Sequence, residues 1–553
     1  MIEQTLRISG RVLYLSADEE LLRRQLGGQD LTYPPERPLL DYISTDEIAP
    51  SWACYHYDDT LARYALVGLR GGLVGVDAIR NGGFEVLVCG HNKGSGSSRE
   101  AAPYAELRAG IRLVIAKSFE KIYRQNCQNI GLFTATDFGL LERIANREEI
   151  PLSELASGLD PLSAEIVLSG GLFGYTERRL AGHLRFQPFY RSKRRPMTLV
   201  EKIIADHVVT DATSVQTGVR SVQPGEAVFV RADVRFSHEY TTAMTDTLFR
   251  AGFGETAELY DASTVYAFRD HLTLLHQVIP EERIRMGLLE QAQRLEVEQR
   301  RFAKRHAIRL FGEVVHEGRP AGSEAICHNK VIEELALPGQ IVVGTDSHTC
   351  MAGALGCFAF GVGSTDMAVA WRTGDVRIRV PSSVRVLLTG SFAPNVCAKD
   401  LMLYLFGLSY FKQGKALGHA LEFSGEALRQ LALDERATLA NMSVEAGAFT
   451  GIIAADQALM DQLARIRGLN PESLNCRALQ PDPDAQYADT VTIDLGRLEP
   501  MVATPGDPRN SVALSRLLAD NPEVPIDIAY GGSCTGSKKA DMDMYAHVLG
   551  RAL

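Results

Sequence analysis

Apolar residues recur in short runs between glycine and polar turns over the first 155 positions. Arg11–Leu15, Gly72–Val76, Phe84–Cys89, Arg112–Ala116 and Gly131–Thr136 read as strands, and Ser118–Arg124, with Phe119, Ile122 and Tyr123 apolar, reads as a short helix. Alternation of this kind predicts layered α/β packing. From 198 onward the apolar period lengthens. Thr198 with Glu201 fits a capping box opening a helix over Leu199–Val209. Further helices are expected at Tyr240–Arg250, Arg283–His306, Ala398–Gly407, Glu426–Leu433, Gln457–Arg467 and Ala540–Leu549. Strands are expected at Ala227–Val230, Gln340–Val343, Val384–Thr389 and Thr490–Asp494. Between the two blocks, Gly170-Gly171 and the basic run Arg191-Ser192-Lys193-Arg194-Arg195-Pro196 break the periodicity. The organisation expected is an α/β unit over 1–155, a linker over 156–197 and a second α/β block over 198–553. The basic run reads as a solvated linker, with attraction of an anionic substrate as the lesser alternative.

The 553 residues suffice for roughly three or four domains of ~150 residues. The formal net charge of -10 argues against a general nucleic-acid binder, which needs a basic face, but is compatible with a local basic pocket for a carboxylate. No apolar run reaches the ~18 residues of a membrane-spanning helix. Met1-Ile2-Glu3-Gln4 lacks the basic-then-apolar pattern of a signal peptide, so a cytoplasmic location is the default expectation. The nine cysteines are scattered too widely for a disulfide framework, and no two form a C-x-x-C.

Several short runs carry candidate chemistry. Gly344-Thr345-Asp346-Ser347-His348-Thr349 follows the apolar Ile341-Val342-Val343 and leads into a glycine-rich run to Gly363. It presents polar groups at the end of a buried strand, where α/β proteins place their sites; the bland alternative is a polar turn. Gly94-Ser95-Gly96-Ser97-Ser98-Arg99-Glu100 combines small residues, whose backbone N–H groups can face an anion, with an arginine able to hold a carboxylate bidentately. A flexible loop with a surface arginine would look the same. Ser44-Thr45-Asp46-Glu47-Ile48-Ala49-Pro50 reads as an N-cap or turn. Asp270-His271 alone would pass for a helix-end or surface pair, and His328, after Ile326-Cys327, for a satisfied buried histidine. Asn441 and Glu445, in Asn441-Met442-Ser443-Val444-Glu445-Ala446-Gly447-Ala448, stand at i and i+4 and would share a helix face. Cys534, in Gly532-Ser533-Cys534-Thr535, would ordinarily be structural.

Together these runs resemble the signatures of the aconitase superfamily, iron–sulfur hydro-lyases that move a hydroxyl between adjacent carbons of a di- or tricarboxylic acid. The resemblance implies an α/β fold with an N-terminal swivel domain, followed by aconitase-type three-layer α/β/α iron–sulfur domains. Gly94 to Pro103, Val114-Ile115-Ala116-Lys117-Ser118-Phe119 and Asn126 with Asn129 are similar to the swivel domain and to the small subunit of 3-isopropylmalate dehydratase. By that resemblance Ser97 is the base that removes the substrate proton and Arg99 grips a substrate carboxylate. Ser98, Ser347 and Asn441 join Arg99 in substrate binding. Asp270, His271, His328, Asp346, His348 and Glu445 fall to catalysis, His328 pairing with Asp346 and His348 with Glu445. A histidine beside a carboxylate suits proton transfer to a leaving hydroxyl. Cys534 is the implied first ligand of a [4Fe-4S] cluster. Ala325 and Gly536 depart from the family's usual Gly and Asn.

The family holds its cluster with three cysteines, the other two in a C-x-x-C that this sequence lacks before its last residue, Leu553. A truncated product, a partner chain supplying the missing segment, and a degenerate relative that binds acids without turnover are the competing explanations. Truncation is favoured, because the residues ahead of Cys534 remain site-like. Ala398-Lys399-Asp400 and Glu422-Phe423-Ser424-Gly425-Glu426-Ala427 resemble the large subunit of 3-isopropylmalate dehydratase and homoaconitase. The expected protein is therefore a fusion, swivel part first, acting as a 3-isopropylmalate dehydratase-like hydro-lyase on a small carboxylic acid, with a homo-oligomer as one assembly. Aconitate hydratase and homoaconitase are the alternatives within the class. A non-catalytic regulator, RNA-binding once its cluster is lost, is the alternative outside it.

Overall fold

The computed structural model describes residues 4–32, 38–95, 100–184, 194–211, 216–474 and 478–552. Four strands, β1 (Arg11–Tyr14), β2 (Phe84–Cys89), β3 (Leu113–Ala116) and β4 (Phe133–Ala135), form a parallel sheet in chain order. The central strands are apolar at successive positions because both faces are covered: Leu87, Cys89, Val114 and Ala116 enter one buried cluster, Val86, Val88, Leu113 and Ile115 another. Helices α1 (Ala101–Arg108) and α2 (Lys121–Ile130) link these strands. The helix expected over Ser118–Arg124 starts later and runs further: Glu120 caps it, and Gly131, at φ 81°, ends it. The strand expected at Gly72–Val76 is instead a turn, since Gly71 and Gly72 both take left-handed backbone angles that no ladder accepts.

The segment read as a linker contains two helices, α3 (Pro161–Leu168) and α4 (Leu172–Leu180), with the Gly170-Gly171 turn between them. Ile166, Leu172 and Tyr175 pack with Phe229 and Val369 of the second block. Of the basic run, Arg191, Ser192 and Lys193 lie outside the described residues, while Arg195 pairs with Glu201. Helix α5 (Leu199–His207) opens on the expected capping box of Thr198 and Glu201.

The second block holds a five-stranded parallel sheet. Its strands are β6 (Val234–His238), β7 (Val265–Phe268), β8 (Arg309–Phe311), β9 (Ile341–Gly344) and β10 (Phe358–Gly361), in the order β8-β7-β6-β9-β10. A separate antiparallel pair joins β5 (Ala227–Arg231) to β11 (Asp375–Arg379). Helices α6 (Glu239–Phe253), α7 (Leu288–His306) and α8 (Ser364–Thr373) pack alongside. The long helix expected over Arg283–His306 is broken by Gly287, at φ 77°. A second parallel sheet follows: β12 (Ser383–Thr389), β13 (Ala420–Ser424), β14 (Thr450–Ile453) and β15 (Asp489–Asp494), in the order β14-β13-β12-β15. Its helices include α9 (Ala398–Gly407), α10 (Leu433–Asn441) and α11 (Gln457–Arg467). Glu426–Gln430 forms only a 3-10 turn, and the helix expected there begins at Leu433. The last described helix is α12 (Lys539–Ala552). Among the described residues no helix is long and apolar enough to cross a membrane.

Candidate active site

In the five-stranded sheet the chain moves outward from β6 to β7 and β8 on one side, and through β9 to β10 on the other. The reversal leaves a crevice at the carboxyl ends of β6 and β9, the place where open α/β sheets bind ligands. Polar residues meet there because each follows an apolar strand: β6 ends in His238, β7 runs into Asp270-His271, and β9 into Asp346. Asp346 then caps the 3-10 stretch Ser347–Leu355, its Oδ1 accepting the His348 N–H at 2.7 Å. Gly361, ending β10, leaves room for this turn; a Cβ there would lie 2.5 Å from the Asp346 carbonyl oxygen.

Asp346 is the hub of the cluster. His328 Nε2 lies 3.0 Å from its Oδ1, His348 Nδ1 3.5 Å from the same oxygen, and His271 Nε2 3.5 Å from Oδ2. Two further carboxylates hold the outer faces. Asp270 Oδ1 lies 2.9 Å from His271 Nδ1, and Glu445 Oε1 2.8 Å from His348 Nε2. The second oxygen of Asp270 accepts the Cys327 N–H at 2.6 Å, which ties the short helix carrying His328 to the same carboxylate. Ser347 Oγ stands 3.5 Å from His348 Nδ1.

The charges follow from these contacts. Burial works against a charged His348, but the hydrogen bonds to Asp346 and Glu445 outweigh it and raise the imidazole to about 11. Burial is likewise overcome at His271 by its bonds to Asp270 and Asp346, which lift it to about 10. Against burial, His328 and then His271 and His348 hold Asp346 well below the usual carboxylate range, and His271 holds Asp270 at about 2. At neutral pH His271 and His348 are thus both held as imidazolium ions by the carboxylates around them.

Asn441 and Glu445 do not share a helix face. Helix α10 ends at Asn441, and the residues beyond it form turns. Both side chains still reach the crevice: Asn441 Nδ2 donates to Cys534 Sγ at 3.3 Å, and Glu445 meets His348. Buried polar atoms without a protein partner gather here, among them Nδ1 of His238 and His328, Oδ1 of Asn441 and Oε2 of Glu445, which suits a polar ligand.

Residues 201–553 match the model of the aconitase family (aconitate hydratase). This chain belongs to the aconitase family. Residues 77–136 match the aconitase C-terminal domain. The 3-isopropylmalate dehydratase large subunit of Aquifex aeolicus is 36% identical over 358 residues, covering 65% of this chain and 73% of the relative. Large subunit 1 from Pyrococcus furiosus is 34% identical over 354 residues, covering 64% and 74%. A solved 3-isopropylmalate dehydratase from Methanocaldococcus jannaschii is 30% identical, covers 26% of this chain and 91% of that one, and has a TM-score of 0.20. The aconitase-family chain is a hydro-lyase, and its family typically binds a [4Fe-4S] cluster.

The described residues of this aconitase-family chain offer such a cluster one suitable thiol. Cys534 is half-buried and faces Asn441. Cys350, nearby, is fully buried, donates to the Asn441 carbonyl at 3.4 Å, and is held well above the ordinary thiol range by burial. Cys357 and Cys397 bond elsewhere, to the Leu337 carbonyl and to Asp400. The described residues therefore do not complete a three-thiolate site.

Ser97, Ser98 and Arg99 lie outside the described residues. Their flanks are held: the Ser95 carbonyl accepts the Thr45 N–H at 2.8 Å, and Glu100 bonds to Thr365 at the start of α8. The Ser44 loop forms the N-cap it suggested, with a capping box to Glu47.

His238 joins the cluster as well, and sequence reasoning missed it. It stacks on His271 with ring centroids 3.9 Å apart, its Nε2 is 3.9 Å from Asp346 Oδ2, and burial lowers it to about 3, so it is neutral. The available signal was the alternation Val234-Arg235-Phe236-Ser237-His238, a strand running straight into His-Glu.

Proposed function

We propose that the chain interconverts positional isomers of a small hydroxy acid of the 3-isopropylmalate type by dehydration and rehydration. Ser97, as its alkoxide, takes the proton from the carbon next to a carboxylate and becomes the hydroxyl, and Arg99, with Ser98, Ser347 and Asn441, grips the carboxylates. The electron pair of the broken C–H bond forms the alkene as the C–O bond at the neighbouring carbon breaks. His271 or His348, each an imidazolium, gives its proton to the departing hydroxyl, which leaves as water. Return of water at the other carbon runs the steps in reverse. Asp270, Asp346 and Glu445 keep the imidazoles charged and oriented, and His328 braces Asp346. The observation that carries this reading is the convergence of four histidines and Asp346 at the switch point of a family hydro-lyase.

The match of residues 77–136 to the aconitase C-terminal domain supports a swivel unit within the same chain, ahead of the part similar to large subunits. Cys534 is proposed as one cluster ligand; no step above is routed through the cluster. The test is turnover of 3-isopropylmalate against citrate by the full chain after anaerobic iron and sulfide loading, with iron content measured in parallel. Activity on 3-isopropylmalate, its loss in Ser97→Ala with substrate binding retained, and lower iron content in Cys534→Ser are expected. Activity unchanged in Ser97→Ala would overturn the assignment.

A further inference from the structure

The first turn of α6 lies between the two loops that carry His271 and Asp346. Glu239, the first residue of this helix, is fully buried. Its Oε2 accepts the Asp270 N–H at 3.2 Å, and its Oε1 accepts the Leu272 N–H at 2.5 Å. One carboxylate therefore holds the backbone amides of both neighbours of His271. The loop needs such an acceptor. Strand β7 ends at Phe268, and the chain beyond it runs through bends and turns, where no ladder satisfies the amides. Arg269 Nη1 lies 3.6 Å from Glu239 Oε1, and Nη2 of the same guanidinium lies 3.2 Å from Glu296 Oε2, so the arginine keeps an anion when Glu239 is changed.

The same turn also meets the other loop. The hydroxyls of Thr241 and Thr345 are hydrogen-bonded at 2.5 Å, and Thr345 directly precedes Asp346. His238, just ahead of Glu239, stacks on His271 with ring centroids 3.9 Å apart. His271 is thus fixed through its backbone by Glu239 and on its ring face by His238. The outcome is an imidazole with Nδ1 2.9 Å from Asp270 Oδ1 and Nε2 3.5 Å from Asp346 Oδ2.

We propose that Glu239 is a positioning residue: by binding the amides of Asp270 and Leu272 it holds the His271 imidazole between Asp270 and Asp346. Its effect on rate rests on the reading in which His271 gives a proton to the departing hydroxyl; the placement of His271 does not. A misplacement of ~1 Å between reacting groups can cost about 100-fold in rate. Burial lowers His271, its bonds to Asp270 and Asp346 raise it, and the charge of Glu239 raises it further. Loss of Glu239 removes that charge and loosens both bonds, so His271 should titrate lower. His348 is held by Asp346 and Glu445 and should not follow.

The test compares Glu239→Gln and Glu239→Asp with the wild-type full chain. Ring NMR of the histidine-labelled chain before iron loading, with His271 assigned by His271→Gln, reads the titrations. Amide exchange at 270–272 is followed in the same samples, and kcat and KM on 3-isopropylmalate after iron loading. In Glu239→Gln the single amide oxygen serves only one N–H. The His271 midpoint should fall by about one pH unit or more, a tenfold loss of proton affinity, while His348 moves by less than about 0.3. Exchange at 270–272 should quicken about tenfold. The kcat should drop about tenfold or more, with KM changed less than about threefold. Glu239→Asp keeps the charge on a shorter arm and should recover part of each loss. An unshifted His271 in Glu239→Gln, a shift shared equally by His348, as general loosening of the fold would give, or an unchanged kcat would overturn the proposal. If Glu239→Gln does not fold, Glu239→Asp is read alone, with the same signs expected. If the wild-type chain does not turn over 3-isopropylmalate, the functional reading fails by itself. Titration and exchange then decide the placement of His271: a selective fall with quickened exchange supports Glu239, and neither change removes it.

Discussion

The charge on His348 depends on two carboxylates, Asp346 and Glu445, acting together against burial. Glu445→Gln leaves one of them, so the imidazole should titrate well below its present value of about 11, as ring-proton NMR would show. The same shift has a consequence for stability. A histidine whose folded value lies above its unfolded ~6.5 contributes stability that is full below ~6.5 and is lost as the pH rises through the folded value. His271 and His348, at about 10 and about 11, thus place a loss of stability between pH 7 and 11. Denaturant midpoints across that range should fall, and fall less in Glu445→Gln. Asp270, held at about 2, contributes in the other direction: its stability is present above ~3.9 and is lost as the pH drops through about 2. Asp346→Asn removes the shared anion, and turnover should drop by ~10²–10⁴, the usual worth of a positioned acid–base group. At this scale Asp346 and His348 were legible because they stand in one contiguous run. His238 was not, because a lone His-Glu after a strand looks like many strand ends.

Elements place these residues. The 3-10 stretch Ser347–Leu355 passes so close to β14 that a Cβ on Gly353 would strike the Gly451 carbonyl. Backbone cannot move aside as a side chain can. Gly353→Ala should therefore cost about 1–3 kcal/mol, read as a lower urea midpoint with an unchanged slope. The apolar period showed β9, β12, β15 and several helices, but not β6, β7, β8, β10, β13 or β14. Element ends were not readable where backbone conformation overrode the period. Gly287 splits one expected helix. The i, i+4 spacing of Asn441 and Glu445 suggested a shared face, but the helix stops at Asn441, and the turns that follow bring Glu445 to His348 by another route.

Across the whole molecule, α4 ties the segment read as a linker to the second block. Arg179 on α4 makes two hydrogen bonds to Asp375, at 2.9 and 2.7 Å, with both side chains about 1% exposed. Asp375→Ala takes these two bonds from a buried guanidinium and should destabilise by up to about 3–5 kcal/mol, measured by chemical denaturation, whereas a paired apolar replacement of both should cost far less. That segment looked like a linker because Gly170-Gly171 and a basic run interrupt its pattern. Its apolar residues find their partners, Phe229 and Val369, only once the second block is folded.

Sequence alone determined that the fold is α/β, located part of its buried strands, β2, β3, β9 and β12 among them, and showed that polar chemistry follows β9. Each of these is local information, held in apolar period and contiguous motifs. The family resemblance already implied that His328 pairs with Asp346 and His348 with Glu445, as the structure has them; only the tertiary structure decided that His238 and His271 share the same aspartate, that Glu445 comes from beside the second sheet, and that Glu100 rests on Thr365. Those meetings depend on strand order and on how units pack, and residues far apart in the chain become neighbours only when the sheets have formed.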